Sequence, residues 1–331
     1  MEKTIKSNLS GAIRRTLKEE MEKNDKLFLL GEDIADPFGG IHNVTKGLTN
    51  VFGKERVINA PISEIVIAGA GVGAAISGML PVIEIMYADF LPICMDQIIN
   101  NAAKIHFQSG GRINVPLVIR AKYGTGTGEG SQHSQCPIGW INSVPGIKIA
   151  IPSSPRDAQG LLKTAIYDKN PVIFLEHKSI YPMTGEILEE NVAIPFGKAE
   201  IKKEGNDVTV VAVSLMLNYA LEAARQLKEE DGIEVEVIDP RTIRPLDERT
   251  IIESVKKTGR LLTVDEGCFS GSLGSEIVDI AARNAYESFK CAPRRLALDD
   301  TPLIAYTSAE KAQLPSVDSI KKEIKEMVQG E

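Results

Sequence analysis

Cysteine is scarce in this sequence. Four occur in 331 residues, at positions 94, 136, 268 and 291, and no two form a Cys-x-x-Cys pair. That spacing gives no support to a zinc cage or a redox dithiol, and so few thiols in so long a chain fit a reduced, intracellular setting rather than a disulfide scaffold. Positive charge is in deficit as well: 38 Lys and Arg face 45 Asp and Glu, a net charge of −7. No basic surplus is available to neutralise a phosphate backbone, so nucleic acid is not expected as a partner. The opening Met1-Glu2-Lys3-Thr4 lacks the apolar core of a secretory leader, which makes a cytoplasmic protein the expectation. Gly-Lys-Ser/Thr is also missing after the glycine-rich stretches, which excludes a Walker A loop.

What is present is an ordinary globular balance, 43% hydrophobic and 25% charged, which excludes disorder and collagen. The length suggests about two domains. Ile65 to Ile83 is the one long uncharged stretch, 19 residues. Gly69, Gly71, Gly73, Gly78 and Pro81 interrupt it, and Glu64 and Glu84 flank it without any Lys/Arg bias. It reads as strand, buried helix and strand in a soluble core, not as a membrane span.

Short β-branched runs alternate with helix-length amphipathic segments. Lys26–Leu30, Pro81–Ile85, Pro116–Arg120, Lys148–Ile151 and Pro171–Leu175 are the runs of the first half, with helices over Cys94–Phe107 and Pro155–Tyr167. Nearly continuous apolar strands belong to a sheet covered on both faces, and the alternation predicts a mostly parallel α/β domain. Turn residues, prolines and an acidic cluster break the rhythm after residue 185; it then restarts with strands over 207–213, 234–238, 260–264 and 294–298. The expected division is a domain over 1–185, a linker over 186–197 and a second α/β domain over 198–331.

Gly69-x-Gly71-x-x-Ala74 after Ile65–Ala68 matches the dinucleotide fingerprint, with Glu84 as a candidate ribose acid, and an NAD oxidoreductase is the remote alternative it raises. The spacing argues against it, because Pro81 leaves too little chain for a crossover helix. Small residues letting a helix pack closely is the other reading. Glu64, entering the uncharged stretch after Ser63, reads either as a desolvated acid able to share a proton with a ring nitrogen, or as a helix-start acid favoured by the dipole. The run Tyr123–Gln135 has four glycines in seven positions after a strand, the place where open α/β sheets put ligands. His133 closes it as a candidate acid, base or donor, or as a plain surface histidine. His42, His106 and His177 have no such setting.

Six segments, in order, resemble the beta subunit of the thiamine-diphosphate-dependent component of 2-oxoacid dehydrogenase complexes. They are Asn59-Ala60-Pro61-Ile62-Ser63-Glu64, Glu84-Ile85-Met86-Tyr87-Ala88-Asp89-Phe90, Met95 through Lys104, Gln132-His133-Ser134-Gln135, Asp168 through Ile173 and Asp239 through Asp247. The resemblance implies a pyrimidine-binding, transketolase-like parallel-sheet domain followed by a transketolase C-terminal-like α/β domain. It implies that Glu64 bonds the aminopyrimidine of thiamine diphosphate, that Ile62 and Met86 line that pocket, and that Phe90 stacks on the ring. His133 falls at the loop histidine that serves substrate and the incoming lipoyl group. Leu117, Ala165, Ile166, Asp168 and Asn170 fall at a potassium site built largely from main-chain carbonyls. The pyrophosphate end and its Mg2+ would belong to an alpha subunit, in a complex of two alpha and two beta chains that passes an acyl group to a lipoyl-bearing acyltransferase. Within the family, Gly39-Gly40-Ile41 with Val44–Leu48, Met183–Glu186 and the Tyr123–Gly126 turn lean towards acetoin dehydrogenase, with pyruvate and branched-chain 2-oxoacid enzymes as alternatives.

Overall fold

The computed structural model describes residues 3–330. The chain forms two compact units, one comprising residues 1–123 with 143–196, the other residues 124–142 with 197–331. In chain order the elements are β1 (Thr4–Asn8), α1 (Leu9–Lys23), β2 (Leu27–Glu32), α2 (Leu48–Phe52), β3 (Val57–Ala60), α3 (Glu64–Ile76), β4 (Leu80–Tyr87), α4 (Ala103–Gln108), β5 (Val118–Tyr123) and α5 (Ile138–Asn142). They continue with β6 (Lys148–Ala150), α6 (Pro155–Ile166), β7 (Val172–His177), β8 (Thr184–Leu188), β9 (Glu200–Lys203), β10 (Val208–Ala212), α7 (Ser214–Asp231) and β11 (Val235–Asp239). The remainder are β12 (Thr242–Arg244), α8 (Glu248–Thr258), β13 (Leu261–Cys268), α9 (Leu273–Ala285), β14 (Arg294–Leu298), α10 (Thr307–Gln313) and α11 (Val317–Gln329).

The first unit carries parallel strands in the order β6-β7-β5-β4-β2-β3. β5 and β7 are buried at every position, as expected of central strands with both faces covered, although each carries charged side chains towards its carboxyl end. Within this sheet the chain starts at β2, goes outward to β3, then returns to the other side of β2 as β4. The order therefore reverses between β2 and β4, and a parallel sheet opens a crevice at the carboxyl ends of its strands at such a point. α1 starts where Asn8 accepts a hydrogen bond from the Gly11 N–H at 2.8 Å, and α6 where Ser154 accepts from Asp157 N with Pro155 in the first turn.

The structure differs from the sequence reading at three points. Ile65–Ala68 is not a strand but the first turns of α3, which begins at Glu64. A short apolar run has no period that separates strand from helix, and the small residues that follow let the helix lie flat on the sheet. At Gly71 a Cβ would meet Ile83 Cγ2 at 2.9 Å. The dinucleotide fingerprint thus lies inside a helix instead of a strand-to-helix turn, and the NAD reading loses its structural basis. Residues 124–142, placed by sequence in the first domain, pack within the second unit. The stretch read as a linker begins inside a strand, since β8 pairs antiparallel with β1.

In the second unit the order is β14-β13-β10-β11-β9, parallel except for β9. Val208, Val210, Val235, Val237, Leu262 and Val264 meet Leu217, Ala224, Leu227, Ile320 and Ile324 in one core. On the opposite face Thr209 Oγ1 lies 2.6 Å from Ser254 Oγ and 2.8 Å from Thr258 Oγ1 of α8. α7 and α8 end on Gly232 and Gly259, both in the left-handed region. Among the described residues no helix is long and apolar enough to cross a membrane.

Candidate functional site

The carboxyl ends of β2, β3 and β4 collect most of the residues singled out by sequence. β2 ends at Glu32. The turn after β3 carries Ile62 and delivers Glu64 to the first position of α3, and β4 ends beside Met86 before the short 3-10 turn that holds Phe90. Glu64 is 9% exposed. Its carboxylate makes no hydrogen bond or ion pair with any described residue. Around it the surface is apolar and open: Ile62 is 76% exposed and Val66 59%. Phe90, half-buried, meets the edge of Tyr87 with ring centroids 5.8 Å apart. Glu64 also acts on its neighbours. Burial, then Asp33 and Glu64, push the Glu32 carboxyl up, while Lys122 pulls it down. Burial and the Glu64 charge raise the Cys94 thiol to about 12. A largely buried glutamate whose carboxylate has no donor among the described residues is free to accept a hydrogen bond from a proton-bearing ring nitrogen.

Directly beneath lies a feature that sequence reasoning missed. Glu84 on β4 accepts from Arg120 Nη1 at 2.6 Å and from Lys122 Nζ at 2.5 Å. Arg120 holds Glu176 of β7 in a two-pronged bond, at 2.6 and 2.7 Å, and the Tyr181 hydroxyl donates to the same carboxylate. All four charged side chains are at most 4% exposed. Burial pushes the Glu84 carboxyl up, but the Lys122 ammonium and Arg120 guanidinium outweigh it and hold it at about 2. Glu84 is therefore a structural anion and not a ribose-binding acid. Through Lys122 the cluster also pulls against the rise of the Glu32 carboxyl, without outweighing burial, Asp33 and Glu64.

The potassium-type positions gather at the end of α6. Ala165 O accepts from Asp168 N at 3.3 Å, and Leu117 O accepts from Val172 N at 2.8 Å. Asp168 Oδ1 accepts from Asn170 N and Nδ2 at 2.9 and 3.0 Å, and its other oxygen pairs with Lys148. Among the described residues no group of three or more His, Cys, Asp or Glu is placed to hold a metal ion.

His133 lies in the second unit, half-buried, just after the 3-10 turn Gly130–Gln132. The glycine loop before it is tied to that unit. Glu266 of β13 accepts from Thr125 N at 3.0 Å and from the Thr125 hydroxyl. Glu310 accepts from Gly126 N at 2.7 Å and Gly128 N at 2.9 Å. Next to Glu266, burial lifts the Asp265 carboxyl to about 6, against the pull of N–H bonds from Gly267 and Gly274. Its folded value exceeds its unfolded one, so the native chain keeps a proton that the unfolded chain releases. Asp265 thus favours folding at low pH, and that contribution is lost as pH rises from about 4 to about 6, roughly 3 kcal/mol in all. Urea titrations at pH 4.5 and 7 measure it, and Asp265→Asn is expected to remove most of the difference. A variant with the full pH dependence of the parent contradicts the assignment.

Residues 6–184 match the family "Transketolase, pyrimidine binding domain", and residues 197–320 match "Transketolase, C-terminal domain". The chain is 42% identical to the beta subunit of acetoin:2,6-dichlorophenolindophenol oxidoreductase of Bacillus subtilis (strain 168), covering 95% of this chain and 94% of that one. It is 43% identical to the pyruvate dehydrogenase E1 component subunit beta of Rickettsia bellii (strain RML369-C), over 94% and 96%. With the 2-oxoisovalerate dehydrogenase subunit beta of Bacillus subtilis (strain 168) the identity is 41%, over 96% and 97%. Among solved structures, a split-gene transketolase described as an inactive beta4 tetramer shares the fold, with a TM-score of 0.79 at 21% identity, over 97% of this chain and 98% of that one.

Proposed function

Because this chain belongs to the transketolase-like beta subunits of thiamine-diphosphate-dependent 2-oxoacid and acetoin dehydrogenases, we propose that its first unit holds the aminopyrimidine end of the cofactor at Glu64. The chain is an enzyme subunit that depends on an alpha-subunit partner. One observation carries the site: a largely buried glutamate whose carboxylate has no partner among the described residues, at the switch point of a parallel sheet, beside exposed apolar side chains.

Bound thiamine diphosphate supplies an electron sink beside the substrate carbonyl. The rest falls to the protein. Glu64 accepts and holds a proton-bearing ring nitrogen, which fixes the tautomer of the pyrimidine. Phe90, braced against Tyr87, and Met86 offer apolar surface to the ring faces, and Ile62 excludes water from the Glu64 carboxylate. His133 serves substrate and the acyl group on its way to a lipoyl domain. Mg2+ and the pyrophosphate belong to the alpha subunit in a complex of two alpha and two beta chains. Potassium fits the carbonyl cluster at the end of α6, whose C-terminal dipole favours a cation. Its donors would be main-chain oxygens, since Asp168 already has Lys148.

For substrate we propose pyruvate, which the recurrence of pyruvate dehydrogenase beta subunits among bacterial and plant relatives favours. Acetoin is the second reading, carried by its relative and by the Gly39–Leu48 and Met183–Glu186 segments. Reconstitution with the alpha subunit, followed by kcat/KM for pyruvate, acetoin and branched 2-oxoacids, tests this. Pyruvate is expected to lead; consumption of none of them contradicts the function itself. In the same complex His133→Ala is expected to cut transfer to a lipoyl domain by roughly 100-fold while cofactor affinity stays within about twofold. Lost affinity with intact transfer overturns the role given to the histidine.

A further inference from the structure

The glycine loop that leads to His133 is not simply flexible chain. Gly124, Gly126, Gly128 and Gly130 all adopt positive φ, between 70 and 105°. Alternation of left-handed residues with ordinary ones turns successive main-chain N–H groups to one side and makes a small anion-binding concavity. In many proteins such a concavity takes phosphate; here the chain fills it with its own carboxylates. Gly126 N and Gly128 N converge on one oxygen of Glu310, and Thr125 N and its hydroxyl go to Glu266.

Glu310 is fully buried, and its other oxygen, Oε1, has no hydrogen-bond partner among the described residues. Burying a carboxylate for two N–H groups, with one oxygen left over, is costly. Such an arrangement makes sense if the position of the loop is what it secures. Packing agrees. A Cβ on Gly130 would come within 2.6 Å of Ala305, and one on Gly128 within 2.8 Å of Thr307 N, so the loop lies flush on the segment that presents Glu310.

We propose that Glu310 is the positioning residue of the His133 loop, with Glu266 as its second anchor. Glu310 touches neither substrate nor cofactor; it acts by fixing the backbone just before the histidine's turn. The consequence for catalysis rests on the role proposed for His133, whereas the anchoring does not.

The test uses the assembled complex with Glu310→Ala, Glu310→Gln and, as a variant outside the buried carboxylate, Thr125→Val. Amide hydrogen exchange over residues 124–133 reads the anchor directly, without turnover. Glu310→Ala is expected to speed exchange there by about tenfold or more, the loss expected for charge-assisted bonds, while Glu310→Gln, which keeps one acceptor oxygen, stays close to the parent. Thr125→Val is expected to shift only the first residues of the loop. Transfer to a lipoyl domain is expected to fall by about 100-fold relative to the dye-linked rate in Glu310→Ala, the scale of a misplaced reacting group. Unchanged exchange in Glu310→Ala or, should that variant not assemble, in Glu310→Asp, whose carboxylate is one methylene shorter in reach towards Gly126 and Gly128, overturns the Glu310 anchor; unchanged exchange at the start of the loop in Thr125→Val overturns the one at Glu266. Faster exchange with unchanged relative transfer sustains the anchor and overturns the transfer role of His133.

Discussion

Glu64→Gln is expected to fold, to assemble with the alpha subunit and to lose roughly 10²- to 10⁴-fold in turnover, the range for loss of a positioned acid or base. Stability and activity part company here for a physical reason. The residue is largely buried, its carboxylate lacks a hydrogen bond or ion pair among the described residues, and it sits close enough to Glu32 to raise its pKa. The helix dipole at the start of α3 favours it by about 0.3–1 kcal/mol. An amide of the same shape escapes the repulsion and the burial of charge, so thermal stability is expected to hold or rise slightly, and the Glu32 carboxyl to titrate lower. Calorimetry with a steady-state assay on the reconstituted complex reads both. Intact turnover, or a large loss of stability, contradicts a functional role for the group.

The second large effect concerns the cluster below. Glu84→Ala leaves Lys122 buried without its strongest partner and takes one of the two carboxylates from Arg120. Breaking a buried pair on one side costs about 3–5 kcal/mol, a large share of a domain's stability. Replacing Glu84 and Lys122 together by Met removes both charges and leaves Arg120 its two bonds to Glu176. The double variant is expected to recover most of the loss, since an apolar pair of similar volume often matches a buried ion pair. Denaturant titration of the three proteins measures it. A single variant within about 1 kcal/mol of the parent, or a double variant as unstable as the single, shows that the cluster does not act this way. Because Lys122 also lowers Glu32, the double variant is expected to raise the Glu32 pKa further.

Much of the fold and of the candidate site is legible in sequence because the signals are local. The strands β5 and β7 begin in the apolar runs Pro116–Arg120 and Pro171–Leu175, the motifs around Glu64, Phe90 and His133 are contiguous, and Gly232 and Gly259 mark helix ends. Ile65–Ala68 misleads because four apolar residues carry no period, and the fingerprint after it dissolves once they prove helical. The charged cluster escapes for a different reason. Glu84 and Glu176 lie 36 and 56 residues from Arg120 and meet it only through the register of β4, β5 and β7. A signal is there: Arg120 and Lys122 stand two apart inside an otherwise apolar strand, on the same face, where unpaired charge is not tolerated. Glu310 has no such signal, being 182 residues from Gly128 in a short helix with little apolar character.

Glu64 is proposed to meet the pyrimidine ring of a cofactor shared with another subunit. Hydrogen–deuterium exchange at the thiazolium carbon of bound thiamine diphosphate, compared between the parent complex and the complex carrying Glu64→Gln, addresses it most directly. Exchange is expected to be fast with glutamate and at least about 100-fold slower with glutamine at full cofactor occupancy. Equal rates in the two complexes would show that the carboxylate does not govern the ring.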